Sequence, residues 1–260
     1  MMKCTRLFPL AALVGLTLTM ASSVRAADLA PTLSGWFDVS GSSARYYDDF
    51  GVVADNQNYF VGGLGGWEFR NFFVFDLTGV NSMITDACLE LYNPCLTKDD
   101  DDGYYGDSTE TFQLTSTSTA AGQLGSVYAP FSASGQAIFN TLGTGTGFGS
   151  LVASAADNGQ TMELDFNGAG LAYLNAHLGQ KVVFSGRLTT LGGDYDQFLF
   201  AYTNPTGGSP YLPSTPQVSL NMSLAPALTP EVPAGMQAVP VLLAVGGMGL
   251  VKRRRAMLGK

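Results

Sequence analysis

One histidine and three cysteines are all the imidazole and thiol side chains that 260 residues contain. A single imidazole, His177, excludes histidine-rich metal centres. It also leaves a Ser-His-Asp triad one choice of base, and no Gly-x-Ser-x-Gly elbow is present to carry the nucleophile. Charge is scarce at 13%. Between Ala27 and Leu228 the only basic residues are Arg45, Arg70, Lys98, Lys181 and Arg187, against twenty carboxylates, a formal charge of 15 negative. Such a surface repels nucleic acid and anionic lipid. The whole chain reads only −8 because its other basic residues sit at the two ends. No glycine-rich loop with a following lysine is present to cradle phosphate; the glycine runs at 62–66 and 143–149 read as turns. Cys4 precedes an apolar leader, which leaves Cys88 and Cys95. If 85–92 is extended, their Cα atoms lie beyond the ~4.4–6.8 Å of a disulfide, and only a reversal at Asn93-Pro94 would join them.

What is present is concentrated first at the ends. Lys3 and Arg6 precede an apolar run from Leu7 to Met20, and small residues before Ala26 mark a cleavage site there. Residues 1–26 therefore read as a signal peptide. Residues 229–260 form a second address. Its spacer holds Pro230, Glu231, Val232 and Pro233. Residues 232–251 carry no charge and, at ~1.5 Å per residue, reach ~30 Å, the span of a transmembrane helix. Lys252, Arg253, Arg254 and Arg255 then hold the end on the cytoplasmic side. Residues 27–228 remain as one domain, exported beyond the inner membrane.

Leader, proline motif, glycine-rich span and arginine cluster together resemble the PEP-CTERM sorting signal of Gram-negative bacteria. Thr229-Pro230-Glu231-Val232-Pro233-Ala234 stands here where the usual motif is Val-Pro-Glu-Pro. The resemblance implies cutting by an exosortase-type membrane protease and release to the cell surface or extracellular polymer. An ordinary single-span anchor is the plainer reading of the same residues.

The domain itself alternates short strand-like runs with Gly, Pro, Asn and Asp clusters. Residues 69–77 are apolar on both faces, as in a strand covered on two sides. Residues 84–92 alternate, with Ala87, Leu89 and Leu91 on one face and Cys88, Glu90 and Tyr92 on the other. Further strands are expected at 35–40, 58–61, 111–116, 150–153, 161–166, 181–188, 197–203 and 217–224. Only 169–178 has helical spacing. The expectation is an all-β chain: a β-sandwich of jelly-roll type with one short helix, plus the signal segment and the C-terminal transmembrane helix. The arginine-led run Phe69-Arg70-Asn71-Phe72-Phe73-Val74-Phe75-Asp76-Leu77, followed by Ala87-x-Leu89-x-Leu91, resembles DNRLRE and disaggregatase-like modules. That resemblance implies an extracellular β-sandwich related to carbohydrate-binding modules, with no catalytic residue to carry over.

Two constellations invite chemistry. Asp99, Asp100, Asp101 and Asp102, with Asp107 or Glu110, offer oxygens to calcium, although Lys98 occupies the first position of an EF-type loop counted back from Gly103. A solvated acidic loop is the plainer reading. Loop aromatics Trp36, Tyr46, Tyr47, Phe50, Tyr59, Trp67, Tyr104 and Tyr105 offer stacking faces for sugar rings, with core filling as the alternative. Tyr104 and Tyr105, beside the Asp run, are the pair least easily explained as core. The expected function is a non-catalytic structural or adhesive protein of the cell surface or exopolymer matrix, with weak carbohydrate binding to exopolysaccharide. The alternative is an extracellular polysaccharide hydrolase working through a carboxylate pair. No cofactor is expected beyond calcium.

Overall fold

The computed structural model describes residues 24–25, 28–46, 57–95, 103–192, 196–201 and 217–225. All of them belong to Met1–Pro226, the first of two compact units. The apolar leader and Ala26, Tyr47 and Phe50, Asp99 to Asp102, and everything from Pro230 to Arg255 lie outside the described residues. In chain order the elements are β1 (Val24–Arg25), β2 (Leu33–Asp38), β3 (Val61–Leu64), β4 (Trp67–Asp76), β5 (Ile84–Asn93), β6 (Glu110–Ser116), α1 (Ala121–Leu124), α2 (Ala133–Thr141), β7 (Gly147–Ala153), β8 (Gln160–Asp165), α3 (Gly168–Ala176), β9 (Lys181–Leu188), β10 (Gln197–Leu199) and β11 (Val218–Leu224). Among the described residues no helix is long and apolar enough to cross a membrane.

The strands form two curled sheets in a sandwich-like, predominantly β fold. One sheet runs β1-β11-β5-β8 and the other β10-β3-β4-β9-β6-β7, with β2 on the remaining flank of β4. Every pairing is antiparallel. Period-two alternation decides what each strand turns inward. Phe73, Phe75, Phe112, Leu114, Phe148 and Phe184 of the larger sheet meet Leu89, Leu91, Met162, Leu164, Leu220 and Met222 of the smaller in one core. Phe184 is its hub, with Phe75, Phe148, Phe166 and Tyr173 all ring-to-ring at 5.2–5.9 Å. Tyr59 closes one end. Its buried hydroxyl lies 2.8 Å from the carbonyls of both Tyr92 and Gln217, and burial pushes the phenol well above its ordinary pKa.

The expected two-sided burial of 69–77 has a definite cause. Phe73 and Phe75 face the smaller sheet, while Phe72 and Val74 face the other way, with Phe37 of β2 and Val183 of β9. Leu124 of α1, with Ile138 and Phe139 of α2 and Leu142 just beyond it, covers that second face. The described residues thus form three layers rather than two. This corrects the expectation of one short helix: α3 falls within the anticipated 169–178, but α1 and α2 are additional. α2 escapes sequence reading because its residues are small and weakly helical, Ala133-Ser-Gly-Gln-Ala-Ile-Phe-Asn-Thr141. Its signals are the Ser132 cap, whose hydroxyl accepts from the Gly135 N–H, and buried Gly135, Ile138 and Phe139 on one face. The glycine runs are likewise only partly turns, since Gly62 and Gly63 belong to β3, and Gly147 and Gly149 to β7. Cys88 and Cys95 are not joined to one another, as the extended run over β5 requires.

Candidate functional site

Where the helical layer meets the end of the sandwich, a groove of about 660 Å³ opens. That size suits a small-molecule or oligosaccharide site. β6 delivers Ser116 and the following Thr117 and Ser118; α2 delivers Asn140 and Thr141; the next loop delivers Thr144, Gly145 and Thr146; Phe148 of β7 and Ala169 and Tyr173 of α3 complete the wall. No described lining residue is charged, although the domain around it is strongly acidic.

The hydroxyls divide into two groups. One group builds the wall. Thr141 Oγ1 donates to the Ile138 carbonyl at 2.8 Å and meets the Thr117 and Thr119 hydroxyls at 3.0 and 2.6 Å. Thr144 Oγ1 donates to the Thr141 carbonyl at 3.1 Å. Threonines therefore satisfy the Ile138 and Thr141 carbonyls near the C-terminal end of α2. Ser116 Oγ accepts from the Thr146 N–H at 2.9 Å and fixes the loop against β6. The second group is spare: the exposed Ser118, Asn140 and Thr146 side chains have no hydrogen-bond partner among the described residues. Tyr173 forms the aromatic part of the wall. Its ring packs on Phe148 at 4.9 Å and on His177 at 4.3 Å, and burial raises its phenol pKa. Spare hydroxyl and amide groups beside an aromatic ring, with no charge among the described lining residues, are chemically suited to a neutral, hydroxylated ligand.

The anticipated site residues are scattered. Tyr104 and Tyr105 part company. Tyr104 is 5% exposed and belongs to the main core, its hydroxyl donating to the Asp107 carbonyl. This corrects its assignment as a ligand-facing ring. Tyr105 is 53% exposed and stacks on Phe198 at 5.5 Å. Antiparallel bridging of Tyr105 to Phe198 turns adjacent side chains to opposite sides. Trp36 and Tyr59 are core, whereas Tyr46 and Trp67 reach solvent. Trp67 meets Phe131, 73% exposed, edge-on at 6.2 Å. Phe131 has φ +63, and no pattern in the sequence marks it. Asp107 and Glu110 lie away from the groove lining, and among the described residues no three His, Cys, Asp or Glu side chains gather as a metal set. His177 caps the end of α3 with its Nδ1 2.7 Å from the Tyr173 carbonyl, a structural contact.

The groove was not anticipated. Its polar residues come from three segments separated by dozens of positions, and serine and threonine are too common in this chain to stand out. No known protein family matches the chain, and no curated protein matches it.

Proposed function

We propose that this chain is an exported cell-surface or exopolymer-matrix protein with a non-catalytic structural or adhesive role, and that it binds neutral carbohydrate in the groove between β6, α2 and α3. The observation that carries the binding part is the uncharged wall with Ser118, Asn140 and Thr146 unpartnered beside Tyr173. The absence of any carboxylate among the described lining residues favours binding over glycoside hydrolysis there, since hydrolysis needs a pair of acids across the scissile bond. Strand order supports a jelly-roll reading: without β2, β3 and β10, the described strands run β1-β11-β5-β8 and β4-β9-β6-β7, the order of two Greek keys; β1 lies in the leader, and Leu29 bridges to the same β11 from the domain itself. The ends support the address. Residues 1–26 read as a leader and 229–260 as a PEP-CTERM-like tail that an exosortase-type protease would cut.

Titration with neutral oligosaccharides from the producing organism's own polymer tests the binding reading. Asn140→Ala with Thr146→Ala is expected to weaken binding by about tenfold, the cost of ~1.4 kcal/mol of lost hydrogen bonding, with thermal stability unchanged. Trp67→Ala and Tyr105→Ala should leave affinity intact. Loss confined to Trp67→Ala would move the site to the Trp67–Phe131 surface, and no binding by wild-type protein would end the carbohydrate reading. Mass spectrometry of released protein checks the address: the C-terminus should fall near residues 230–234, and an intact Lys260 on released protein would refute processing.

A further inference from the structure

Glu110 opens β6 with its side chain buried, 1% exposed. Oε2 accepts from the Thr190 hydroxyl. Oε1 has no hydrogen-bond partner, and no basic side chain pairs with this carboxylate among the described residues. A carboxylate taken out of water costs several kcal/mol unless something replaces the lost solvation. One hydroxyl is a small replacement.

The surroundings add negative charge. Oε1 lies 3.0 Å from the place a Cβ would take on Gly106, the residue before Asp107. Gly106 has φ +150, so the backbone passes close beside the buried oxygen where no side chain stands between. Asp107 Oδ2 accepts from Gln197 Nε2 at 2.9 Å, and Gln197 Oε1 accepts from the Gly192 N–H at 2.6 Å. That relay fixes one oxygen of Asp107 and leaves the other without a partner among the described residues. The Tyr104 hydroxyl sits on the Asp107 carbonyl. Burial raises its pKa first, and the charges of Glu110, Asp107 and Asp157 raise it further. The Glu110 carboxylate, Asp107 with its carbonyl, and the Tyr104 phenol oxygen thus gather at one turn, and among the described residues no basic side chain pairs with them.

We propose that Glu110 Oε1 and the Asp107 carboxylate bind one hard divalent cation of calcium's size at the Gly106–Asp107 turn. All the donors are oxygen, which suits calcium and excludes soft metals. The shell is irregular, and calcium tolerates that where magnesium demands a near-ideal octahedron. Only two carboxylates contribute, so the remaining positions fall to water and carbonyls, and affinity belongs to the range of extracellular modules, ~10⁻⁴–10⁻³ M. The bound cation supplies the counter-charge that Glu110 lacks and ties β6 to the strand-like bridge of Tyr105 and Phe198. The site is separate from the groove and does not depend on carbohydrate binding.

The full chain, stripped by a chelator, is titrated with calcium chloride while the melting temperature is followed. In parallel, terbium emission is read on tyrosine excitation, Tyr104 being the adjacent donor. Wild-type protein is expected to melt higher in millimolar calcium, and calcium should displace the terbium signal. Glu110→Gln keeps the side chain's shape and should raise the half-saturating calcium concentration by about tenfold or more. Asp107→Asn, at an exposed position, should do the same without disturbing the core. A melting temperature indifferent to calcium overturns the proposal. So does unchanged calcium binding in both variants.

Discussion

Gly135→Ala is expected to lower stability by about 3 kcal/mol or more, because the new methyl has nowhere to go. A Cβ on Gly135 would stand 1.8 Å from the Gly41 carbonyl oxygen, and one on Gly41 would stand 2.3 Å from the Gln136 nitrogen. Both obstacles are main chain, so no side chain can swing aside. The contact is the seat of the helical layer: the first turn of α2 rests on the turn after β2, where Ser40 accepts from the Phe131 N–H at 2.9 Å. Lifting α2 opens the apolar face of Phe37, Phe72, Val74 and Val183 to water. At ~2–4 °C per kcal/mol for a domain of this size, the melting temperature should fall by ~6–12 °C. Gly122→Ala in α1 is the matched control. Nothing lies within 4 Å of that Cβ, and a gain of up to ~1 kcal/mol is expected from helix propensity. Urea denaturation of the two variants checks both signs; a Gly135→Ala protein as stable as wild type would mean α2 is seated differently.

Arg70→Met should cost about 2–3 kcal/mol, through lost charge-assisted hydrogen bonds. Arg70 is the clamp between β4 and α2. Its Nε donates to Glu68 Oε1 at 2.7 Å, its Nη1 to the Leu142 carbonyl at 3.0 Å and, longer, to Phe139 at 3.4 Å. Its guanidinium also lies 4.3 Å from the Phe139 ring centroid. A cation at a helix C-terminus answers the carbonyls and the dipole together. Arg70→Lys should recover less than half of the loss, since one ammonium cannot serve Glu68, two carbonyls and the ring at once. If the groove takes carbohydrate as proposed, its affinity should fall in step with either change, because Asn140 and Thr141 ride on the same helix. Chemical denaturation together with sugar titration measures both effects; stability lost without any change in affinity would detach the groove from α2.

Strands were legible where burial is one-sided or complete. β5 shows its alternation in Ala87, Leu89 and Leu91, and β9 occupies the anticipated 181–188. The double-faced pattern of β4 announced a cover on both sides without saying that one cover is helical. α2 was hidden because a helix stabilised by seating needs little propensity of its own, and two glycines that meet across space look like loop punctuation in one dimension. Candidate sites were far less legible. Tyr104 and Tyr105 are chemically equal neighbours, and only a cross-strand partner 93 residues on from Tyr105 decides which one faces solvent. Glu110 is one acid among twenty until its burial is seen.

The pairing of Leu29 with Leu220, in the last described strand, sets the beginning of the domain beside its end on a single strand edge. Antiparallel partners stand ~5 Å apart, so a few residues would suffice to splice one exit to the other. The fold is therefore built as a closed excursion from a chain: it can be grafted into a loop of a host protein, or permuted to begin at the β3–β4 hairpin, without any strand having to find a new neighbour.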